Sequence, residues 1–98
     1  MSFEKAIEAS LATVLGDDHA LLSELRGAFA ASARGHVETL RDTVIVEDWQ
    51  DAALRLKGLA ASFGATALMQ AAGRAAKSAC GDPNVLAALE TELAAFDI

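Results

Sequence analysis

The sequence predicts an all-α fold, an antiparallel up-down four-helix bundle with a short additional helix at the N-terminus. Three observations carry this expectation. Helix breakers are rare, with seven glycines and one proline in 98 residues, so long helices are favoured. Apolar residues recur at three- and four-residue steps along most of the chain, the spacing of one helical face. β-branched residues are scarce outside Val44-Ile45-Val46, which argues against a sheet. A length of 98 residues suits one domain spanning 1–98. The hydrophobic fraction of 53% supports one core, although much of it is alanine and only 5% of residues are aromatic.

Taken in order, the N-terminal helix starts after Ser2, an N-cap candidate. Phe3, Ile7, Leu11, Val14 and Leu15 form its apolar stripe. Gly16-Asp17-Asp18 ends it and caps the next. The second segment runs from about His19 to Asp42, with Leu22, Leu25, Phe29, His36, Val37 and Leu40 on one side. The third begins near Val46 or Glu47 and runs to Phe63, where Gly64 closes it. The fourth extends from about Thr66 to Ala79, with Leu68, Ala72, Ala75 and Ala79 on one face. The fifth has the plainest start: Asp82 as N-cap and Pro83 at the first helical position, where a missing N–H costs nothing. Val85, Leu86, Leu89, Leu93 and Phe96 then face inward. Long helices joined by short turns pack antiparallel.

Charge narrows the classes of function. The formal net charge is −6 and no stretch collects lysine and arginine, so a phosphate backbone and an anionic membrane surface are both repelled. The expected partner is a protein, with no nucleic acid and no membrane involved. The start of the chain, Met1-Ser2-Phe3-Glu4-Lys5, does not read as a signal peptide. The uncharged run from Gly58 to Gly73 is too short and too rich in glycine and alanine for a membrane span. Cys80 is the only cysteine, which fits a reducing compartment. The expectation is a cytoplasmic protein, with a monomer favoured.

The third segment carries the most specific pattern. It reads Leu54-Arg55-Leu56-Lys57-Gly58-Leu59-Ala60-Ala61-Ser62-Phe63-Gly64-Ala65. This resembles the motif of histidine phosphotransfer (HPt) domains: His-x-Leu-Lys-Gly-Ser-Ala, three residues, then Gly-Ala. Leu56, Lys57, Gly58, Ala60, Gly64 and Ala65 match at the right spacing. Leu21, Leu22, Leu25 and Phe29 upstream and Leu68 downstream extend the resemblance more weakly over most of the chain. The resemblance implies a four-helix bundle in a two-component phosphorelay, partnered by the receiver domain of a response regulator or hybrid kinase. It also implies that Lys57 lies where the family neutralises the phosphate. The departures bear directly on activity. Leu54 holds the place of the phosphoacceptor histidine, Leu59 replaces a frequent serine, and Ala76 stands where a glutamine or glutamate often approaches the phosphate.

Helical phase gives an independent reading. At about 100° per residue, Trp49, Ala52, Leu56, Ala60 and Phe63 cluster on the core side of the third segment. Leu54 points about half a turn away, sharing its side with Gly58 and Ala61, with Glu47, Gln50 and Asp51 nearby. A leucine has no nucleophilic atom and cannot take a phosphoryl group. It can anchor a partner by burying apolar area. Single exposed leucines are also ordinary on protein surfaces, and Lys57 reads equally well as a solvated lysine. The expected partner-binding residues are Leu54, Arg55, Lys57, Gly58, Ala61, Gln50 and Asp51.

Two histidines remain. Phase puts His36 between Phe29 and Leu40, on the inward side, where a buried or half-buried histidine is usually structural and hydrogen-bonded to a neighbour. His19 lies at a helix start, where the dipole disfavours its charged form. Neither has ligands at metal spacing, and no phosphate loop or nucleophile elbow is present. Cys80, beside Gly81 at a helix end, reads as a structural thiol. The expectation is a domain that is not an enzyme and holds no cofactor or metal. It is a pseudo-HPt module that binds receivers, or a kinase, around Leu54 without carrying phosphate. Two alternatives stand beside it: an active phosphotransfer protein using another histidine such as His36, and a structural bundle in which Ala71, Ala72, Ala75 and Ala76 pack against a second copy.

Overall fold

The computed structural model describes residues 19–95. The expected N-terminal helix with its Ser2 cap, and Phe96 of the last stripe, lie outside the described residues. Four helices follow one another: α1 (His19–Asp42), α2 (Val46–Ser62), α3 (Thr66–Ala76) and α4 (Pro83–Ala94). No strand occurs among the described residues. Helix α2 packs against α1 and α3, and α4 packs against α3 and α1. Among the described residues no helix is long and apolar enough to cross a membrane.

The interior is built from few large side chains. Trp49, Phe29, Leu40, Leu56, Leu68, Leu89 and Val37 are fully buried, and alanines fill the space between them. Among the described residues, nine of the seventeen that are buried are alanine: Ala30 and Ala33 on α1, Ala52, Ala53 and Ala60 on α2, Ala65, and Ala71, Ala72 and Ala75 on α3. A methyl group buries little area, so the stability of such a core comes from close approach of the helices rather than from bulk. Phe29 and Phe63 close one end, with ring centroids 4.7 Å apart. At the other end, the Cys80 thiol donates to the Thr43 carbonyl across 3.4 Å and ties the α1–α2 link to the α3–α4 link. Arg41 of α1 pairs with Glu90 of α4.

Helix ends follow local chemistry where a local signal exists. Gly64 has φ 71°. The Gly64 N–H bonds Ala61 O at 3.2 Å and the Ala65 N–H bonds Ala60 O at 2.8 Å. This is a Schellman stop, and the accompanying contact is between Ala60 and Ala65, both fully buried. Asp82 accepts from the N–H groups of Asn84 and Val85 at the start of α4, as its position before Pro83 predicts.

Several expectations need correction. Helix α3 ends at Ala76, not Ala79, and Ala79 is exposed outside the helix. Continuing the helix would require the Ala79 N–H to bond Ala75 O. That carbonyl already accepts the Trp49 indole N–H at 2.7 Å and the Ser78 N–H at 3.1 Å. Helix α2 ends one residue early, with Phe63 half-buried as its C-cap. On α1 the inward work is done by Ala30 and Ala33 beside Phe29, Val37 and Leu40, while Leu22 and Leu25 are only half-buried. Its first buried residue is Phe29, so the two turns holding Leu22 and Leu25 gain little cover from the described helices. Val85 and Leu86 are half-buried and pack against the core, as expected of them. Ala71, Ala72 and Ala75 are consumed by the molecule's own core, so they are not a face for a second copy.

Candidate functional site

Helix α2 presents two opposite faces. Trp49, Ala52, Ala53, Leu56 and Ala60 point into the core. Gln50, Asp51, Leu54, Arg55, Lys57, Gly58 and Ala61 are all exposed. The helix is held in this rotation by Trp49, whose buried indole both fills the core and donates to α3. A rotation by one residue would bring Leu54 inward and bury charge, which the packing forbids.

Leu54 is 56% exposed. Nothing lies within 4 Å of the place a Cβ on Gly58 would occupy, so the surface one turn beyond Leu54 is bare backbone. Ala61 continues it with a methyl group. The Gly58 carbonyl accepts the Ser62 hydroxyl at 3.0 Å. The result is a shallow apolar strip, one leucine at its head, running along the outer face of α2.

Two open grooves flank this strip. On the α1 side, His36, Thr39, Thr43, Asp48, Asp51, Ala52 and Arg55 line one. There Arg55 Nε donates to Asp51 Oδ2 at 2.8 Å, an exposed pair one helical turn apart. Such a pair contributes about 0.3–0.5 kcal/mol; its effect is to hold the guanidinium beside the strip. His36 is half-buried at the rim of this groove rather than locked into the core. The neighbour expected to hydrogen-bond its ring is not found among the described residues. On the α3 side the second groove is lined by Lys57, Met69, Gln70, Gly73, Arg74 and Lys77. The stem of Lys57 lies over Gly73, its Cδ and Cε each 3.9 Å from where a Cβ on Gly73 would stand.

In comparisons with known proteins, no family model, no curated protein and no solved structure matches this chain. The functional reading therefore rests on the residues themselves.

All the expected binding residues lie on one exposed side of α2. Lys57 belongs to a different flank from Arg55 and Asp51, because three residues of helix rotate it by about 300° from Leu54, whereas Arg55 is rotated by about 100°. The α3 contribution, Gln70, Arg74 and Lys77, was missed. Their spacing of four and three residues marks one face of a helix and was the signal available. Chemically, the strip offers no nucleophile, and among the described residues no three His, Cys, Asp or Glu gather into a metal-sized group. What it offers is apolar area without steric cover, bordered by charges.

Proposed function

We propose that this chain is a pseudo-HPt module: a helical bundle that docks the receiver domain of a response regulator or hybrid kinase around Leu54 and does not carry phosphate. The observation that carries the reading is the exposure of Leu54 above uncovered Gly58, at the position where the motif it resembles keeps a phosphoacceptor. A true phosphohistidine must be reachable by an aspartate of its partner. Here the same clearance surrounds a side chain that can only be buried. Gln50, Asp51, Arg55, Lys57 and Ala61 surround it and set the polar rim of the interface.

The accompanying fold is an antiparallel up-down bundle with an additional N-terminal helix. Links of three, three and six residues between the four helices, and the circuit of neighbours α1–α2–α3–α4–α1, support that topology. A cytoplasmic monomer competing with an active phosphotransfer protein for its receiver is the biological form of the proposal.

The test is an amide NMR titration with receiver domains. Shifts concentrated on Leu54, Lys57, Gly58 and Ala61 are expected. Leu54→Asp weakens binding by at least about tenfold, the loss of a buried leucine contact, and leaves the spectrum of a folded domain. Unchanged affinity in a folded Leu54→Asp protein would overturn the proposal.

One observation favours a second reading, an active phosphotransfer protein: His36 opens onto a groove beside Arg55. Incubation with a phosphorylated receiver would then leave acid-labile phosphate on the chain, and His36→Gln would abolish it. Absence of label dismisses this reading.

A further inference from the structure

Seven lysines and arginines lie among residues 19–95. Arg41 pairs with Glu90 and Arg55 with Asp51. Arg26 and Arg34 are engaged in interactions of their own. The remaining cations, Lys57, Arg74 and Lys77, form no ion pair with a carboxylate, and all three line the groove between α2 and α3. Among the described residues, the three cationic side chains left without an ion pair or hydrogen bond thus converge on one groove, in a chain whose net charge is −6.

The groove contains no acidic residue; its other lining groups are Met69, Gln70 and Gly73. Arg74 and Lys77 are exposed, and so is Lys57. Gln70, Arg74 and Lys77 succeed one another along one face of α3. Gly73, lacking a side chain, lets the Lys57 stem lie flat across the helix, with methylenes 3.9 Å from its would-be Cβ. That contact holds an ammonium on α2 in line with the cations of α3. Like charges gathered this way repel one another, and a negative ligand relieves the repulsion.

We propose that this groove is a docking site for a carboxylate-rich segment of a partner protein. An extended acidic segment fits better than a compact anion. The polar lining groups Gln70, Arg74 and Lys77 are spread over about two turns along α3 and its C-cap, with Lys57 on a neighbouring helix, and the backbone N–H groups beneath them are used within α3, so nothing forms a tight phosphate cage. Gln70 supplies an amide that both donates and accepts, and Met69 supplies apolar contact beside it. The site does not depend on Leu54 and stands whether or not the partner is a receiver domain.

The experiment is an amide NMR titration of the whole chain with a short polyglutamate peptide, at low and at physiological ionic strength. Expected are shifts confined to Lys57, Gln70, Gly73, Arg74 and Lys77 that weaken as salt rises. Arg74→Glu weakens binding by at least about fivefold. Arg41→Glu, an equal change of charge outside the groove, changes it by less than about twofold. Equal weakening in both variants, no shift at the groove, or saturation by inorganic phosphate at the same concentration as the peptide each overturn the proposal. Leu54→Asp binds the peptide normally, which separates this site from the apolar strip.

Discussion

Gly58 sits in mid-helix with open space where its side chain would be. A glycine there has no steric justification within the fold, and it costs the helix roughly 0.5–1 kcal/mol relative to alanine. Gly58→Ala is therefore expected to stabilise the domain by about that amount in urea unfolding. If the strip around Leu54 is a docking face, the same substitution weakens receiver binding, because a methyl group intrudes on the interface. Gly35 is the control. It too lies in mid-helix with nothing within 4 Å of a Cβ, and its carbonyl also accepts a hydroxyl, that of Thr39 at 3.1 Å. Gly35→Ala should give the same gain in stability without touching binding. Equal binding by both variants would show that the clearance at Gly58 is not used. The exposed side of α2 was legible at this scale because helical phase needs only residue positions. The place of His36 in a groove with Asp51 and Arg55 was not, since that groove is formed by α1 and α2 together.

At the scale of elements, the ends of α2 and α4 follow from nearby residues, and the end of α3 does not. Gly64, at φ 71°, turns the chain out of α2 in a conformation that costs an ordinary residue about 1–2 kcal/mol. Gly64→Ala is expected to lower stability by that amount, seen as a fall in the urea midpoint without a change in slope. A neutral result would mean that the Ala60–Ala65 contact, and not the glycine, sets the stop. The Asp82-Pro83 start of α4 was equally legible, because cap and first turn are adjacent in sequence. By contrast, at the end of α3 the Lys77 and Ser78 N–H groups tighten onto Arg74 O and Ala75 O, the Ser78 hydroxyl also takes Arg74 O, and the Trp49 indole takes Ala75 O from 26 positions away. Lys77, Ser78 and Ala79 include no glycine or proline, so local periodicity runs on to Ala79.

Across the whole molecule, alanine is the commonest buried residue, and the helices meet where side chains are small. Helix α3 contributes three such residues, Ala71, Ala72 and Ala75, each at most 1% exposed. Enlarging one of them forces backbones apart instead of filling space. Ala72→Leu is expected to destabilise by about 1–3 kcal/mol despite adding apolar area, measured by thermal or urea unfolding. A stabilised Ala72→Leu protein would show that the α2–α3 seam has room to spare. The distribution of charge also belongs to this scale. Acids predominate in the chain as a whole, while among the described residues the cationic side chains without an ion pair or hydrogen bond collect on the α2–α3 groove. The sum of charges correctly describes the chain's average field and conceals this reversal of sign.

The sequence by itself determined the all-helical class of the described residues, the start of α4, the Gly64 stop, and which side of α2 faces out. All of these depend on interactions within a few residues or on one helical period. Only the tertiary structure decided that α3 ends at Ala76, that Ala30 and Ala33 outrank Leu22 and Leu25 as core, and that Lys57 joins Arg74 and Lys77 in one groove. Those outcomes depend on which helices touch and how closely. Alanine, buried or exposed with almost equal ease, records too little of that in the sequence to be read in advance.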